Sequence, residues 1–332
     1  MMQRVAVVGA GLAGLTCAQT LRAAGCEVVV FEKSRGPGGR LSTRRTASAQ
    51  FDHGAPYFMV QDPRFAAFIE ARLADGSVAV WAPSVQELGA LDRAPWYVGT
   101  PGMSALGRMQ AQGLDLRLEQ RVASLARQGS RWHIKLEDES MIDGFDTVVI
   151  AVPNAQAVPL LAEHAPQWAS QLEQTPMNAC WTVMLSTAEP LTEFDADQPA
   201  NSAIGWWLRN SSKPGRPVTP DRHDWVLHAT EAWTTAHLDD DKAQVGQVLI
   251  KAFGDLLGKS ATPIEAPMVH RWLYARRSGD AQPLAEPWWR ADLSLGVCGD
   301  GLGHGGVERA YLSGLDMGQA ILRSEGQNKE KQ

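Results

Sequence analysis

The chemistry-bearing residues crowd into positions 5 to 40. Val5-Ala6-Val7-Val8 runs into Gly9-Ala10-Gly11-Leu12-Ala13-Gly14, a G-x-G-x-x-G spacing, and Val28-Val29-Val30-Phe31 ends on Glu32. A strand, a glycine turn, a helix, a second strand and a terminal carboxylate together make a dinucleotide-binding unit. Gly9 permits the tight turn, Gly11 lets the backbone approach a pyrophosphate, and Gly14 lets the helix lie close to the sheet. The helix opened by Leu12 and Ala13 then aims its N–H groups and positive dipole end at the phosphates. Glu32, 18 residues after Gly14, is placed to accept hydrogen bonds from adenosine ribose hydroxyls. It would repel a 2′-phosphate, which argues against NADP as the bound cofactor.

A second glycine cluster follows that carboxylate at once: Gly36-Pro37-Gly38-Gly39-Arg40. Taken alone it also suits a plain surface turn. Beside Glu32 it points away from a nicotinamide dehydrogenase and toward a flavoprotein, because its N–H groups and Arg40 can close over a diphosphate from the side opposite the helix. Three later segments extend the pattern. Phe51-Asp52-His53-Gly54-Ala55-Pro56-Tyr57-Phe58 puts two small residues where a flat ring system can lie against backbone, and Gln120-Arg121-Val122 starts a strand suited to an adenine contact. Val297-Cys298-Gly299-Asp300, followed by Gly301–Gly306, repeats the strand and glycine-turn logic before a helix. Asp300 can bind a ribityl hydroxyl, and a helix starting near Val307 can face its dipole toward an anionic reduced flavin.

These residues need a frame, and the patterning predicts one. Strands are expected at 5–9, 27–31, 115–119, 122–127, 131–136, 146–151 and 293–298, and helices at 12–24, from Pro63 to about Leu73, from Pro101 to near Gly113, near 240–257 and over 306–323. Asp62-Pro63 and Thr100-Pro101 are read as helix starts. From Pro153 to about Pro267 the chain is rich in Trp and Pro with period-2 stretches, which fits an inserted domain with a sheet. The fold class is therefore α/β: a Rossmann-like FAD-binding domain (1–60, 100–155 and 290–325) with an inserted α+β substrate domain (61–99 and 156–289) and a disordered tail at 326–332.

Composition narrows the classes. The 332 residues suffice for two domains with large cores. A net charge of -6 supplies no basic footprint for nucleic acid or anionic lipid. Cys17, Cys26, Cys180 and Cys298 show no C-x-x-C and suit reduced thiols in a cytoplasm. Val5–Leu15 imitates a secretory apolar stretch but holds three glycines and no cleavage site, and no segment reaches the ~18 apolar residues that span a bilayer. Tryptophan outnumbers phenylalanine 12 to 8, which reads first as core and interface filling.

With these motifs in hand, the chain resembles the flavin amine oxidase superfamily and, within it, the bacterial renalases. The resemblance covers nearly the whole length. The opening 60 residues mark the superfamily. The renalase type is marked by the middle blocks Trp96-Tyr97-Val98-Gly99-Thr100-Pro101-Gly102-Met103-Ser104, Leu208-Arg209-Asn210-Ser211-Ser212-Lys213-Pro214, Trp225–Thr230 and His270–Arg276, and the resemblance runs on through Cys298-Gly299-Asp300, Val307-Glu308 and Leu312-Ser313-Gly314. The resemblance implies an amine oxidase/p-hydroxybenzoate hydroxylase-like arrangement and noncovalent FAD. It also implies oxidation of 1,2- and 1,6-dihydro isomers of NAD(P)H to NAD(P)+, with dioxygen reduced to hydrogen peroxide, as metabolite repair. It further implies FAD contacts at Leu12, Glu32, Lys33, Gly39, Arg40, Ala55, Pro56, Val122, Asp300 and Val307. The nicotinamide pocket would be lined by Tyr57, Phe58, Met59, Val60, Gln61, Trp96, Tyr97 and Val98, with Leu185 and His270 beside them.

Two departures stand out. Amine oxidases of the superfamily commonly carry a lysine on an inserted-domain strand, and Asn178–Leu185 has none; this favours the dihydronicotinamide reading over amine oxidation. Relatives often carry a tryptophan after the Gly-Asp pair, where Gly301 stands here. No side chain is assigned as catalytic, since removing a hydride from a dihydropyridine requires no acid or base. His228 and His270 are candidates to orient a carboxamide or phosphates, against the plainer reading as core histidines. Ser104 lacks G-x-S-x-G spacing, no His or Cys pattern binds metal, and Arg271, Arg276 and Arg277 read as a solvated face that a substrate phosphate can visit. A flavin amine oxidase or desaturase, and a nucleotide-binding protein without turnover, remain the alternatives.

Overall fold

A computed structural model describes residues 2–85, 95–277 and 288–330. Parts of the expected substrate domain (86–94, 278–287) and the last two residues of the expected tail lie outside them. The chain forms two compact units: Met1–Leu41, Leu106–Met177 and Arg276–Gln332 make the first, Ser42–Ala105 and Asn178–Ala275 the second.

The first unit is built on a six-stranded sheet in the order Trp288–Arg290, Leu295–Val297, Thr147–Ile150, Arg4–Val8, Glu27–Phe31, Asp115–Arg117. All neighbours are parallel except the Trp288–Arg290 edge. Its central strands are covered on both faces, which is why they read as unbroken apolar runs. Val5, Val7, Val28 and Val30 feed one core with Leu15 and Ile321. Ala6, Val8, Val29 and Phe31 feed another with Trp132, Ile134 and Leu160. The first core is closed by helices Leu12–Ala23 and Val307–Glu330. They approach so closely that a Cβ on Gly314 would lie 2.1 Å from the Ala13 carbonyl oxygen. The second core lies under the antiparallel strands Val122–Gln128, Arg131–Leu136 and Met141–Phe145 and helices Asn154–Leu161 and Pro166–Glu173.

The second unit holds a five-stranded sheet in the order Ala196–Asp197, Ile204–Arg209, His223–Ala229, Met177–Thr187, Met268–Arg277. Helix Lys242–Leu257 packs Leu249 and Phe253 onto Trp207 and Trp225 on one face. Two hairpins, Thr43–Arg45 with Gln50–Asp52 and Val78–Trp81 with Trp96–Gly99, complete it together with helix Pro63–Ala74. That helix starts as its sequence predicts, with the Asp62 carboxylate accepting from the Arg64 N–H at 2.8 Å.

The observed units and elements differ from expectation at several places: residues 100–105 belong to the second unit, and 276–277 and 288–289 to the first. Residues 42–60 belong to the second unit because Asp52 is bonded to Asn210, Lys213 and Arg216 rather than to the parallel sheet. Residues 156–177 belong to the first, since Leu160, Leu161 and Leu172 bury against its sheet. The helix after Thr100-Pro101 begins only at Ser104. The C-terminal helix continues past Arg323 to Glu330, where Glu, Gln and Lys favour helix even when solvated.

Candidate functional site

The two glycine turns expected to hold a nucleotide come together within the first unit. Gly9 leaves the first strand at φ +109°, a conformation open to glycine, and a Cβ there would lie 2.5 Å from the Ala151 carbonyl oxygen. Gly14 has no room for a side chain either, the Gly9 carbonyl oxygen standing 2.1 Å from a built Cβ. Helix Leu12–Ala23 carries no capping side chain at Gly11, so the N–H groups of its buried first turn face forward without one. A Cβ on Gly11 would meet nothing within 4 Å. Open space ahead of an uncapped helix N-terminus fits an anionic diphosphate.

Glu32 does more than await a ribose. Its carboxylate accepts the Ala10 N–H and the Ser34 N–H, both at 2.8 Å, and is 7% exposed. One side chain thus pins both glycine turns, leaving further lone pairs for ribose hydroxyls. The turns also meet directly: the Gly38 N–H donates to Ala10 O at 2.8 Å, and Gly11 and Gly38 form a bridge. Gly107, from helix Ser104–Gln110, closes the stack, a Cβ on it standing 2.4 Å from Gly38 Cα. Sequence reading missed Gly107, and G-x-x-x in a short helix carries no signal for it.

Arg40 and Asp300, assigned separately from sequence to diphosphate and ribityl groups, form a two-pronged ion pair. Arg40 Nη1 donates to Asp300 Oδ2 at 3.0 Å and Nη2 pairs with Oδ1. Asp300 Oδ2 also accepts from Gly306 N at 3.3 Å, fixing the loop ahead of the Val307–Glu330 helix. Gly301 has a packing reason: a Cβ there would lie 2.3 Å from Asn154 Oδ1, and the Asn154 amide in turn donates to Thr175 O at 2.9 Å. No tryptophan fits at that position. Gly39 lies beside Gly11, Lys33 is tied to Gln156 at 3.0 Å, Val122 opens its strand half-buried, and Val307 begins the last helix. Burial and the neighbouring Arg121 hold the Lys33 ammonium below its ordinary pKa.

In the second unit the sequence-predicted pocket residues divide. Tyr57 and Trp96 stack with centroids 3.8 Å apart and 4° between planes, brought together by the Phe58 and Tyr97 backbones bonding each other at 3.0 and 2.8 Å. Trp206, which sequence reading passed over, stands edge-on to both at 5.9 and 6.0 Å. Trp96 is 3% exposed and backs the half-buried Tyr57, so the accessible faces are those of Tyr57 and Trp206. Ala55, Pro56, Met59 and Val60 are half-buried in the same loop and Gln61 is exposed. Phe58 and Val98 are buried, and Phe58 stacks on Tyr97 and meets Phe65 edge-on. Leu185 packs in the core under helix Lys242–Leu257, on the face of its strand opposite Met184, so it lines no pocket.

Beside the aromatic face lies a group of imidazoles. Trp206 is cross-strand from His228, and the His228 ring nitrogen is 3.4 Å from the His53 carbonyl oxygen. Trp272 Nε1 donates to that oxygen at 2.9 Å, and His270 packs edge-on to both His53 and Trp272. Burial, then the neighbouring imidazole and Arg44, push His53 down to about 3. Burial, then Arg44 and Lys242, push His270 down to about 4. Burial raises the Tyr57 phenol to about 12. Near neutral pH the face is therefore uncharged and aromatic, suited to a flat ring. Arg271 is bonded to Leu238 O and Asp239, and Arg277 to Gly303 O. Among the described residues no cluster could hold a metal ion, and no helix is long and apolar enough to cross a membrane.

Against known proteins, the NAD(P)-binding Rossmann-like domain model matches residues 7–71 and the flavin containing amine oxidoreductase model matches residues 80–322. Renalase of Mus musculus is 22% identical, over 97% of this chain and 99% of its own length. A 4,4'-diapophytoene desaturase (4,4'-diaponeurosporene-forming) of Staphylococcus haemolyticus is 43% identical over 67 residues, 20% of this chain and 13% of its own length. Among solved structures, a putrescine oxidase bound to putrescine superposes with a TM-score of 0.72 at 13% identity, covering 97% of this chain and 99% of that one. At that identity the last likeness is one of fold.

Proposed function

The chain belongs to the flavin containing amine oxidoreductase family, and from that premise we propose that this FAD-dependent oxidoreductase is an oxidase of the 1,2- and 1,6-dihydro isomers of NAD(P)H. The overall reaction balances as dihydronicotinamide, dioxygen and a proton giving the oxidised nicotinamide and hydrogen peroxide. Bound FAD supplies the two-electron acceptor and the route to dioxygen. The residues of the chain bind, orient and exclude water. The uncapped helix at Leu12 holds the diphosphate, and Glu32 keeps both glycine turns in place for it.

The observation that carries the reading is the uncharged aromatic face of Tyr57 and Trp206, with Trp96 behind it. Loss of hydride turns a neutral dihydronicotinamide ring into a cation. Aromatic faces attract that developing charge by about 0.5–2 kcal/mol, more strongly when water is excluded. The neutral His53 and His270 do not repel it. Strand Met177–Thr187 carries no lysine, the residue that amine oxidases of the superfamily commonly carry on such a strand.

Anaerobic mixing of the purified holoprotein with 1,6-dihydro-NAD tests this. Rapid loss of visible flavin absorbance with release of NAD+ is the expected result. Bleaching by amines alone overturns it in favour of amine oxidation. Failure of every dihydronicotinamide isomer and amine overturns it in favour of nucleotide binding without turnover.

A further inference from the structure

A buried charge cluster in the second unit belongs to neither the cradle nor the aromatic face. Asp52, Lys213 and Arg216 are 0%, 2% and 5% exposed. Lys213 Nζ lies 3.3 Å from Asp52 Oδ2 and donates to Asn210 Oδ1 at 3.2 Å, while Arg216 Nη2 pairs with the same Asp52 oxygen. The other Asp52 oxygen accepts from Thr43 Oγ1 at 2.8 Å and from Met103 N at 2.9 Å. Two cations thus share one carboxylate, and Arg216 Nε is buried without a hydrogen-bond partner.

Every segment that bears a ring of the aromatic face is rooted in this cluster. Asp52 begins the run that leads through His53 to Tyr57. Arg216 Nη1 donates at 2.7 Å to the carbonyl of Gly99, the last residue of the strand that carries Trp96. Lys213 Nζ lies 5.5 Å from the ring centroid of Trp81, which packs edge-on to Trp96 at 5.6 Å. Asn210 follows the strand that carries Trp206 and is bonded to the Gln50 carbonyl at 2.8 Å and the Asp52 N–H at 3.2 Å. The Asp52–Arg216 pair is neutral by itself, so the second cation is not needed to balance charge. Burying an ammonium is costly, and apolar replacements of buried ions are often as stable. What Lys213 adds is three simultaneous contacts at the roots of the ring-bearing segments.

We propose that Lys213 is a positioning residue: its ammonium, held among Asp52, Asn210 and the Trp81 ring, fixes the stacking of Tyr57 on Trp96 and with it the affinity of that face for a planar ring. The second half rests on the ring-binding role proposed above; the first does not. Burial, against the pull of Asp52 and with the push of Arg216, brings the Lys213 ammonium down to about 8. Asp52 and Arg216 are the charged groups that face it, and Asn210 and Trp81 are neutral. Tyr57 stays protonated throughout that range.

Near-ultraviolet circular dichroism of the full-length holoprotein, from about pH 6.5 to 9, taken as the difference from a Tyr57→Leu variant, isolates the band of the stacked pair. In the parent the band is expected to weaken with a midpoint near 8. In Lys213→Met it is expected to stay weak at every pH, with flavin content and Tm retained, KM for a dihydronicotinamide raised about tenfold and kcat within about twofold. A parent band that ignores pH, or a full-strength band in Lys213→Met, overturns the proposal. If Lys213→Met does not fold, the parent titration decides by itself. If no dihydronicotinamide is turned over, the dichroism still decides the stacking while the substrate reading falls.

Discussion

At the scale of residues, the two acids that matter most are both occupied by the protein itself. Glu32 spends its oxygens on the Ala10 and Ser34 N–H groups before any ligand arrives. Hydrogen bonds to a charged group are worth roughly 1.5–3 kcal/mol each. Glu32→Ala is therefore expected to loosen both glycine turns and weaken FAD binding at least tenfold. Flavin kept through gel filtration as in the parent would remove that role. Asp52 and the imidazoles set the response to acid. Asp52 is at about 2, where the opposing Lys213 and Arg216 outweigh burial, so its contribution is present above the ordinary carboxylate range and goes only as pH falls through about 2. His53, at about 3, refuses a proton that the unfolded chain accepts below about 6.5. Stability must then fall by up to about 1.4 kcal/mol per pH unit from there downward. The Tm of the parent should drop between about pH 6.5 and 4, and His53→Gln should flatten that drop. An unchanged slope in the variant would assign the acid sensitivity elsewhere.

At the scale of elements, the cradle depends on how near two helices can come. Gly314 leaves no room for a methyl group against Ala13 O, in the first turn of Leu12–Ala23 that the proposal sets against the diphosphate. Gly314→Ala must push Val307–Glu330 outward, at about 1–3 kcal/mol for overpacking. The expected signs are a lower Tm together with loss of bound flavin. A variant with parental flavin content would mean the helix can shift without disturbing the turn. This part of the structure was legible in the sequence because glycine spacing and apolar runs are local signals. Strand, turn and helix over Arg4–Ala23, the carboxylate at Glu32 and the Asp62 cap all follow from neighbours a few residues apart. Asp52 with Lys213 and Arg216 was not legible, nor was Arg40 with Asp300, 260 residues away. Nothing in the composition around either partner names the other. Trp206 and Leu185 show the same limit: an alternating strand announces two faces but not which one the helix Lys242–Leu257 covers.

At the scale of the whole molecule, FAD held as proposed between Gly9–Gly14, Glu32–Arg40 and Asp300–Val307 would stabilise the first unit. A ligand held at a hundred times its Kd adds about 2.7 kcal/mol. Stripping the flavin should lower the Tm, and adding FAD back should restore it in a concentration-dependent way. A Tm blind to FAD would separate flavin binding from the stability of that unit. The division between units was misjudged by sequence at 42–60 and 156–177 because boundary segments carry ordinary strand and helix patterns. Only their distant partners reveal where they belong.

The interleaving of the two units also sets a schedule for their birth on the ribosome. The second unit needs nothing beyond Ala275, whereas the first, although it owns the opening strand, cannot close until the segment from Arg276 has been made. That late segment brings Leu295–Val297 to the sheet and Val307–Glu330 to the first helix. The segments of the first unit are therefore incomplete until Arg276 and the residues after it are made, whereas every strand that bears a ring of the aromatic face precedes them.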